Sequence, residues 1–293
     1  MDYQSQLINL LPQHDFFIGI DSDGCVFDSM EVKQKEFFIP NALKYFNLYA
    51  ISRALRETWE FVNLYSIYRG GNRFISLIKV FDLLSKNEEV IKTGVELPGM
   101  NSLAEWVKTE NKLGNENLRK HFEKTNEPDL VNILKWSEAV NTEIAHWLRN
   151  VPVFPHAKDA IRIFSSSADL VIVSQTPLEA LDREWKENDL GKYIQFIAAQ
   201  EHGTKTEHIA LAAGGKYAEN KKLMIGDAKG DLDAARNNGI LFYPIIPGRE
   251  DESWKKFSEE GYDRFISGNF SGKYQDEAIS GFLKSLPEFM KTL

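Results

Sequence analysis

The stretch FIGIDSDGCVFDSM, residues 17–30, contains three aspartates directly after a short apolar run. We predict that FFIGI, residues 16–20, is a buried parallel strand, because a continuous apolar run of this length suits a strand covered on both faces. Asp21 and Asp23 follow at once, and Gly24 permits a tight turn beside them. The pattern therefore predicts that two carboxylates lie at the carboxyl end of a strand, where open α/β sheets bind ligands.

The composition is that of an ordinary globular protein with an acidic surplus. The chain has 293 residues, of which 43% are hydrophobic and 27% are charged, and its formal net charge is -8. This charge argues against nucleic acid or an anionic membrane as the main partner, since both attract basic surfaces. The first residues, MDYQSQLINLLPQHD, lack the basic region of a signal peptide, and a single cysteine suits a reducing compartment. We therefore expect a cytoplasmic protein, with its oligomeric state left open.

The chain shows two different hydrophobic patterns, one in residues 31–150 and another from residue 151 onward. Residues 31–150 show helical periodicity, as in the apolar positions Ile51, Leu55, Trp59 and Val62, and contain no convincing strand. From residue 151 onward, helical segments alternate with short apolar strands, which predicts a parallel sheet covered on both faces. The predicted strands are DLVIVSQT (169–176), IQFIAA (194–199), KLMIG (222–226), ILFYPI (240–245) and a segment at 262–266, followed by an amphipathic helix at 275–289.

These patterns predict an α/β fold class. We expect a Rossmann-like parallel sheet core with helices on both faces, formed by residues 1–30 and 151–293, and an inserted all-α domain at 31–150. Polar residues follow several of the predicted strands, so that separate elements deliver them to one sheet edge: Asp21, Asp23, Ser174, Asp227 and Asp231, with Lys205 expected to join them. Because clustered carboxylates repel each other and no His or Cys accompanies them, Mg²⁺ is the cation that we expect there.

The motifs resemble those of a known family. DSDGCVFD (21–28) resembles the first motif, D-x-D-G-x-x-x-D, of the haloacid dehalogenase-like (HAD) hydrolase superfamily. VIVSQT (171–176) resembles its second motif, and MIGDAKGD (224–231) resembles its fourth, G-D-x-x-x-D. Lys205, in HGTKTEH, lies where the family keeps its third-motif lysine but lacks the proline that often follows, and Lys192 is an available substitute. The helical insertion after the first motif resembles the family's type 1 cap.

The resemblance implies a Mg²⁺-dependent phosphatase that acts on a small phosphorylated metabolite through an aspartyl-phosphate intermediate. It implies that Asp21 is the nucleophile and that Asp23 serves as general acid and then base. The implied phosphate-binding residues are Ser174, Gln175 and Lys205. The implied magnesium ligands are Asp21, the backbone carbonyl of Asp23, Asp227 and Asp231.

Other functions within and outside the superfamily stay open. A phosphomutase shares every core residue named above. Haloacid dehalogenation needs neither the second acid nor a complete magnesium site, and a non-catalytic phosphate-binding module would be favoured only if Asp21 or Asp23 were missing. Cys25 stands where the family commonly has threonine, and it is interpreted either as a packed small residue or as a redox-sensitive thiol beside the nucleophile.

Substrate recognition is expected in the helical insertion, around YRGGNRF (68–74). Gly70 and Gly71 permit a sharp turn, and Arg69 and Arg73 are candidates for binding an anionic or polyhydroxy substrate, because the planar donor fork of arginine suits such groups. The alternative interpretation is a turn between two helices with solvated arginines.

Overall fold

The computed structural model describes residues 3–290, which divide into two compact units. The first unit comprises the described residues up to Met30 together with Arg149–Leu286, and the second comprises Glu31–Leu148 with the described chain end from Pro287. The predicted core range ran to residue 293, whereas Pro287 groups with the helical unit, where its carbonyl accepts a hydrogen bond from the N–H of Ile67 at 3.3 Å. None of the helices between residues 3 and 290 combines the length and apolar composition that crossing a membrane requires.

The first unit is built on a sheet that has five strands within the described residues, all parallel, in the order β3-β2-β1-β4-β5. The strands are β1 (Phe16–Ile20), β2 (Ala168–Val173), β3 (Phe196–Ala198), β4 (Lys222–Gly226) and β5 (Leu241–Pro244). The chain proceeds from β1 outward through β2 and β3, and then continues on the other side of β1 with β4. The boundary between β1 and β4 is therefore a topological switch point, the place where open α/β sheets bind ligands. The predicted α/β fold class is confirmed.

Helices account for most of the remaining described chain. In chain order they are α1 (Tyr3–Ile8), α2 (Ser29–Val32), α3 (Ile39–Tyr45), α4 (Ser52–Leu64), α5 (Arg73–Ser85), α6 (Glu88–Thr93), α7 (Asn101–Thr109), α8 (Asn115–Thr125), α9 (Asp129–Trp147), α10 (Pro155–Phe164), α11 (Leu178–Glu187), α12 (Lys205–Ala213), α13 (Lys229–Asn237), α14 (Glu250–Lys256), α15 (Tyr262–Ile266) and α16 (Lys273–Ser285). Two π-helical segments, Lys33–Phe38 and Phe257–Gly261, connect α2 to α3 and α14 to α15.

Successive side chains of β1 pack on opposite faces of the sheet. Phe17 belongs to an apolar cluster that includes residues of α12, α13 and α16, and the buried side chains of Ile18 and Ile20 point to the opposite face. Gly19 lies where a Cβ atom would come within 3.1 Å of the Met224 sulfur and 3.2 Å of a Val173 methyl group. Close strand packing therefore explains the glycine in the middle of β1.

The second unit is held by an aromatic core. Trp59 and Trp136 are fully buried and pack edge to face with ring centroids 5.8 Å apart. The indole N–H of Trp59 donates to Gln34 Oε1 at 2.8 Å, and that of Trp136 donates to the carbonyl of Phe38 at 3.2 Å. The helical unit thus buries large apolar surface without leaving these two indole donors unpaired.

The predicted strand at 262–266 is wrong, since these residues form α15. The buried aromatic side chains of Trp254, Phe257 and Phe265 continue the helical spacing of the preceding segment, which a five-residue window does not reveal. The final helix also ends earlier than predicted, at Ser285 rather than 289.

Candidate active site

The loop after β1 carries Asp21 and Asp23, which are separated by Ser22. The backbone N–H of Asp21 donates to the carbonyl of Ile225 at 2.9 Å, which fixes the end of β1 against β4. Ser22, between the two acids, is fully buried, and its hydroxyl accepts a hydrogen bond from Trp185 Nε1 at 3.1 Å. Asp21 contacts Lys205, whereas Asp23 accepts hydrogen bonds from the hydroxyls of Thr176 and Ser29.

Three buried carboxylates converge at the β1/β4 switch point. Asp21, Asp227 and Asp231 each offer an oxygen atom, and these atoms lie within 4.8 Å of one another. Asp21 is 5% exposed, and Asp227 and Asp231 are 0% exposed. A set of hard oxygen donors of this size fits Mg²⁺ or Ca²⁺ rather than a metal that prefers nitrogen or sulfur ligands.

Gly226 makes room for this cluster. A Cβ atom at Gly226 would lie 2.4 Å from Cγ of Asp231, closer than any real contact of such atoms. The Asp231 carboxylate also accepts a hydrogen bond from the N–H of Ala228 at 3.0 Å, which caps the start of α13. The glycine of the G-D-x-x-x-D motif is therefore required because a carboxylate from the next helical turn packs directly over it.

Lys205 joins two of the three acids. Its Nζ lies 2.7 Å from Oδ2 of Asp21 and 2.6 Å from Oδ1 of Asp231. Lys192, the substitute considered from sequence, instead pairs with Asp189 at 2.5 Å in an exposed turn. The structure thus brings Lys205 to the acidic cluster and leaves Lys192 at the surface.

Burial is the largest single influence on the pKa values of Asp21 and Asp231. It raises the pKa of Asp21 to about 6, although the charge of Lys205 and its hydrogen bond to Asp21 partly offset the effect. It likewise raises the pKa of Asp231, again against the charge of Lys205. Burial alone would lower the pKa of Lys205, but the charges of Asp21 and Asp231 outweigh it and raise that pKa. One lysine cannot neutralise three buried carboxylates, so the site favours a further cation.

The loop before α12 is fixed without the proline that often follows the family's lysine. Thr204 caps α12, accepting at its hydroxyl from the N–H of Glu207, and Gly203 adopts a φ of 119°. The side-chain amide of Gln175 donates to the carbonyl of Gly203 at 2.8 Å. The predicted phosphate-binding residue Gln175 therefore ties the loop after β2 to the loop that carries Lys205.

Ser174 follows β2 and is 2% exposed. Its backbone N–H donates to the carbonyl of Ala198 at 3.0 Å, and its Oγ accepts from the N–H of Thr176 at 3.2 Å. Thr176 in turn donates from Oγ1 to Oδ2 of Asp23 at 2.7 Å, and the hydroxyl of Ser29 donates to the other oxygen, Oδ1. Thr176 and Ser29 were not among the predicted site residues, although Thr176 ends the motif segment VIVSQT and Ser29 directly follows DSDGCVFD.

Cys25 is fully buried under the loop after β1. Its carbonyl accepts a hydrogen bond from Trp254 Nε1 at 2.7 Å. Burial raises the pKa of the thiol well above its usual value, and the negative charge of Asp227 raises it further. Since the thiolate is the reactive form, this environment favours the interpretation of Cys25 as a packed small residue.

Arg69 and Arg73 are engaged in contacts within the helical unit. Arg69 is 3% exposed, and its guanidinium donates to the carbonyl of Leu64 at 2.9 Å. Arg73 donates to Asn141 Oδ1 at 2.7 Å and to the carbonyl of Ser137 at 3.1 Å, and it stacks 5.0 Å from the ring centre of Phe38. Burial lowers the pKa of Arg73 to about 10, which leaves it charged at neutral pH. Neither arginine is merely solvated, and both support the packing of their own unit.

Comparison with known proteins identifies one family. The sequence model of the haloacid dehalogenase-like hydrolases matches residues 85–245, more than half of the chain. The matched range includes Ser174, Lys205 and Asp227, whereas Asp21 and Asp23 precede it. No curated protein matches the sequence.

Several solved structures resemble the chain at low identity. A haloacid dehalogenase-like hydrolase from Streptococcus pneumoniae is 15% identical, with 82% of this chain and 90% of that chain covered and a TM-score of 0.45. A predicted phosphoglycolate phosphatase from Haemophilus somnus is 13% identical, with 80% and 88% covered and a TM-score of 0.48. A haloacid dehalogenase-like hydrolase from Xanthomonas campestris is 10% identical, with 90% and 98% covered and a TM-score of 0.47.

Proposed function

This chain belongs to the haloacid dehalogenase-like hydrolase family, and we propose that it is a Mg²⁺-dependent phosphatase acting on a small phosphorylated metabolite. The observation that carries the proposal is the convergence of Asp21, Asp227 and Asp231 at the β1/β4 switch point, with Lys205 bridging two of them. A buried acidic cluster with one lysine suits a reaction in which an anionic phosphate meets an anionic nucleophile, provided that a cation separates the charges.

Asp21 is the proposed nucleophile. Its carboxylate attacks phosphorus, the bond from phosphorus to the leaving oxygen breaks, and an aspartyl phosphate forms. Asp23 gives a proton to the leaving oxygen as that bond breaks. In the second step Asp23 takes a proton from a water molecule that attacks the same phosphorus, which releases inorganic phosphate and restores Asp21.

The proposed magnesium ligands are Asp21, the backbone carbonyl of Asp23, Asp227 and Asp231. The bound ion would supply positive charge between nucleophile and phosphate and would favour the ionised form of Asp21, whose pKa burial raises. Gly226 and the N–H of Ala228 hold the Asp231 carboxylate in place for this task.

Ser174, Gln175 and Lys205 are the proposed phosphate-binding residues. The hydroxyl of Ser174 retains its proton as a donor while its oxygen accepts from Thr176. The ammonium group of Lys205 lies against Asp21, where it can also meet the phosphate oxygens on which charge accumulates. Because the side-chain amide of Gln175 donates to Gly203, we assign its backbone N–H to the phosphate.

The helical unit Glu31–Leu148 is proposed as the cap that selects the substrate, with Arg69 and Arg73 as residues to examine. Their contacts within the unit mean that replacing them is expected to lower its stability as well. A loss of kcat/KM counts toward recognition only when the variant remains folded and a generic aryl phosphate is spared.

The test is a screen of phosphorylated metabolites with Mg²⁺, scored by phosphate release. Asp21→Asn is expected to abolish turnover and to remain folded, because the amide keeps the shape of the carboxylate but is not a nucleophile. Asp233→Asn is the matched control, since that acid lies on α13, two residues after Asp231, and forms an ion pair with Lys229 at 2.5 Å. Full activity of Asp21→Asn, or of the wild type in excess chelator, would contradict the mechanism.

An assay of isomerisation beside phosphate release distinguishes a phosphatase from a phosphomutase, which shares the core residues. Asp23→Asn is expected to slow both formation and hydrolysis of the aspartyl phosphate. A wild-type enzyme that requires a bisphosphate activator, and that isomerises a sugar phosphate faster than it releases phosphate, would instead be a mutase.

A further inference from the structure

Thr176 has no assigned role in binding metal or phosphate, yet each of its polar groups is engaged beside the candidate site. Its hydroxyl donates to Oδ2 of Asp23 at 2.7 Å. Its N–H donates to Oγ of Ser174 at 3.2 Å, and its carbonyl accepts from the N–H of Gln200 at 3.2 Å. Thr176 therefore connects the proposed acid, the proposed phosphate-binding hydroxyl and the loop after β3.

Ser29 and Thr176 both donate to the Asp23 carboxylate, but they connect it to different parts of the chain. Ser29 is six residues from Asp23 and belongs to the same chain segment, so its hydrogen bond orients the carboxylate only within that segment. Thr176 is 153 residues away and is joined directly to Ser174. Of these two donors, Thr176 is the one that sets the Asp23 carboxylate relative to the phosphate-binding residue.

Resting on the phosphatase function proposed above, we propose that Thr176 is a positioning residue that aims the Asp23 carboxyl group at the leaving oxygen of a phosphate ester bound at Ser174. The hydroxyl of Thr176 neither gives nor takes a proton in the reaction. As the bond from phosphorus to the leaving oxygen breaks, the proton moves from Asp23 to that oxygen, and Thr176 holds the donor in line.

This role predicts that the effect of removing the Thr176 hydroxyl depends on the leaving group of the substrate. An alkoxide is a poor leaving group and depends on protonation in the transition state, whereas a nitrophenolate leaves without it. Misaligned proton transfer therefore slows alkyl phosphates strongly and nitrophenyl phosphate weakly. A role of Thr176 in folding alone would slow both alike, because it would change the amount of active enzyme and not its selectivity.

The experiment compares wild type with Thr176→Val, which keeps the shape of the side chain and removes the hydroxyl. The substrates are an alkyl phosphate and a series of aryl phosphates with leaving groups of graded acidity. In each case kcat/KM is measured, since it reports the steps up to formation of the aspartyl phosphate. General acid catalysis is worth about 10²–10⁴-fold, so we expect kcat/KM for the alkyl phosphate to fall by about 10–100-fold and that for nitrophenyl phosphate by less than about 3-fold.

Two further variants control the comparison. Thr176→Ser retains the hydroxyl and is expected to restore the wild-type dependence on the leaving group. Thr142→Val removes a hydroxyl that donates to the carbonyl of Glu138 one helical turn earlier, in the helical unit, and is expected to change nothing. If Thr176→Val does not fold, Thr176→Ala and Thr176→Ser carry the same comparison.

The outcomes separate this inference from the proposed function. A wild-type enzyme that releases no phosphate from any ester overturns the phosphatase function and the inference with it. An active wild type, together with a folded Thr176→Val or Thr176→Ala that loses activity equally on all substrates or loses none, overturns the positioning role alone. A Thr176→Ser variant with the steep dependence expected of Thr176→Val would also overturn it.

Discussion

At the scale of single residues, the surroundings of His208 determine its protonation state. It lies on α12, one turn after Lys205, and is fully buried. Burial, together with the nearby charges of His202 and Lys205, lowers the pKa of His208 from 6.5 to about 4. His208 is therefore neutral at pH 7. Lys205 is the cation that contacts Asp21 and Asp231.

This shift predicts a pH dependence of stability. The folded pKa lies below the unfolded one, so the unfolded state binds the proton first, and stability present above pH 6.5 is lost as the pH falls toward 4. Between pH 7.5 and 5 the contribution of His208 is expected to shrink by about 2 kcal/mol. Urea unfolding of wild type and His208→Phe at both pH values measures it. Equal pH dependence in the two proteins would refute the assignment to His208.

At the scale of elements, the turn from β4 into α13 supplies two of the three carboxylates in the acidic cluster. β4 ends at Gly226, Asp227 follows, and Asp231 in the first turn of α13 folds back over the glycine. The parallel pairing of β4 with β1 then brings Asp21 beside them. Five residues of sequence thus supply two carboxylates, and strand pairing supplies the third.

We predict that Gly226→Ala displaces Asp231, because the new methyl group would overlap its carboxylate. Overpacking of a tight site costs about 1–3 kcal/mol, and the response of thermal stability to Mg²⁺ should weaken with it. The matched control is Gly230→Ala, four residues on in α13, where a Cβ meets nothing within 4 Å. That variant is expected to be neutral or more stable by up to about 1 kcal/mol. Similar losses in both variants would contradict the close-approach explanation.

For the whole molecule, burying three carboxylates beside one lysine costs electrostatic free energy in the folded state. The chain has a formal net charge of -8, and its candidate site holds three buried carboxylates against one lysine. A ligand that binds the folded state but not the unfolded state stabilises the protein by mass action. A bound divalent cation is expected to act in this way here.

We predict that Mg²⁺ raises the melting temperature and that a chelator reverses the effect. At 100 times its dissociation constant the ion contributes about 2.7 kcal/mol, or several degrees for a chain of this size. Asp227→Asn should lose most of the response, whereas Asp233→Asn, which changes a half-buried acid on α13, should keep it. An unchanged melting temperature across wild type and both variants, with or without Mg²⁺, would argue against a metal site at these carboxylates.

Local pattern was sufficient for much of the fold. The apolar runs of β1, β2, β4 and β5 and the helical periodicity of residues 31–150 depend on neighbours a few positions apart, and the structure places strands and helices there. The acids at the ends of β1 and β4 were predictable for the same reason, since strand ends in a parallel sheet share one edge. The strand predicted at 262–266 was wrong because its aromatic spacing is resolved only over a longer helical segment.

Tertiary structure decided what depends on residues far apart in the chain. The sequence left Lys205 and Lys192 as alternatives, and only folding shows which ammonium group reaches the acids. It likewise could not show that Arg73 donates to Asn141 within its own unit, or that Thr176 donates to Asp23 across 153 positions. Motif order indicates which residue types share a sheet edge. Hydrogen-bond partners are set by distance and direction in space, which no local pattern encodes.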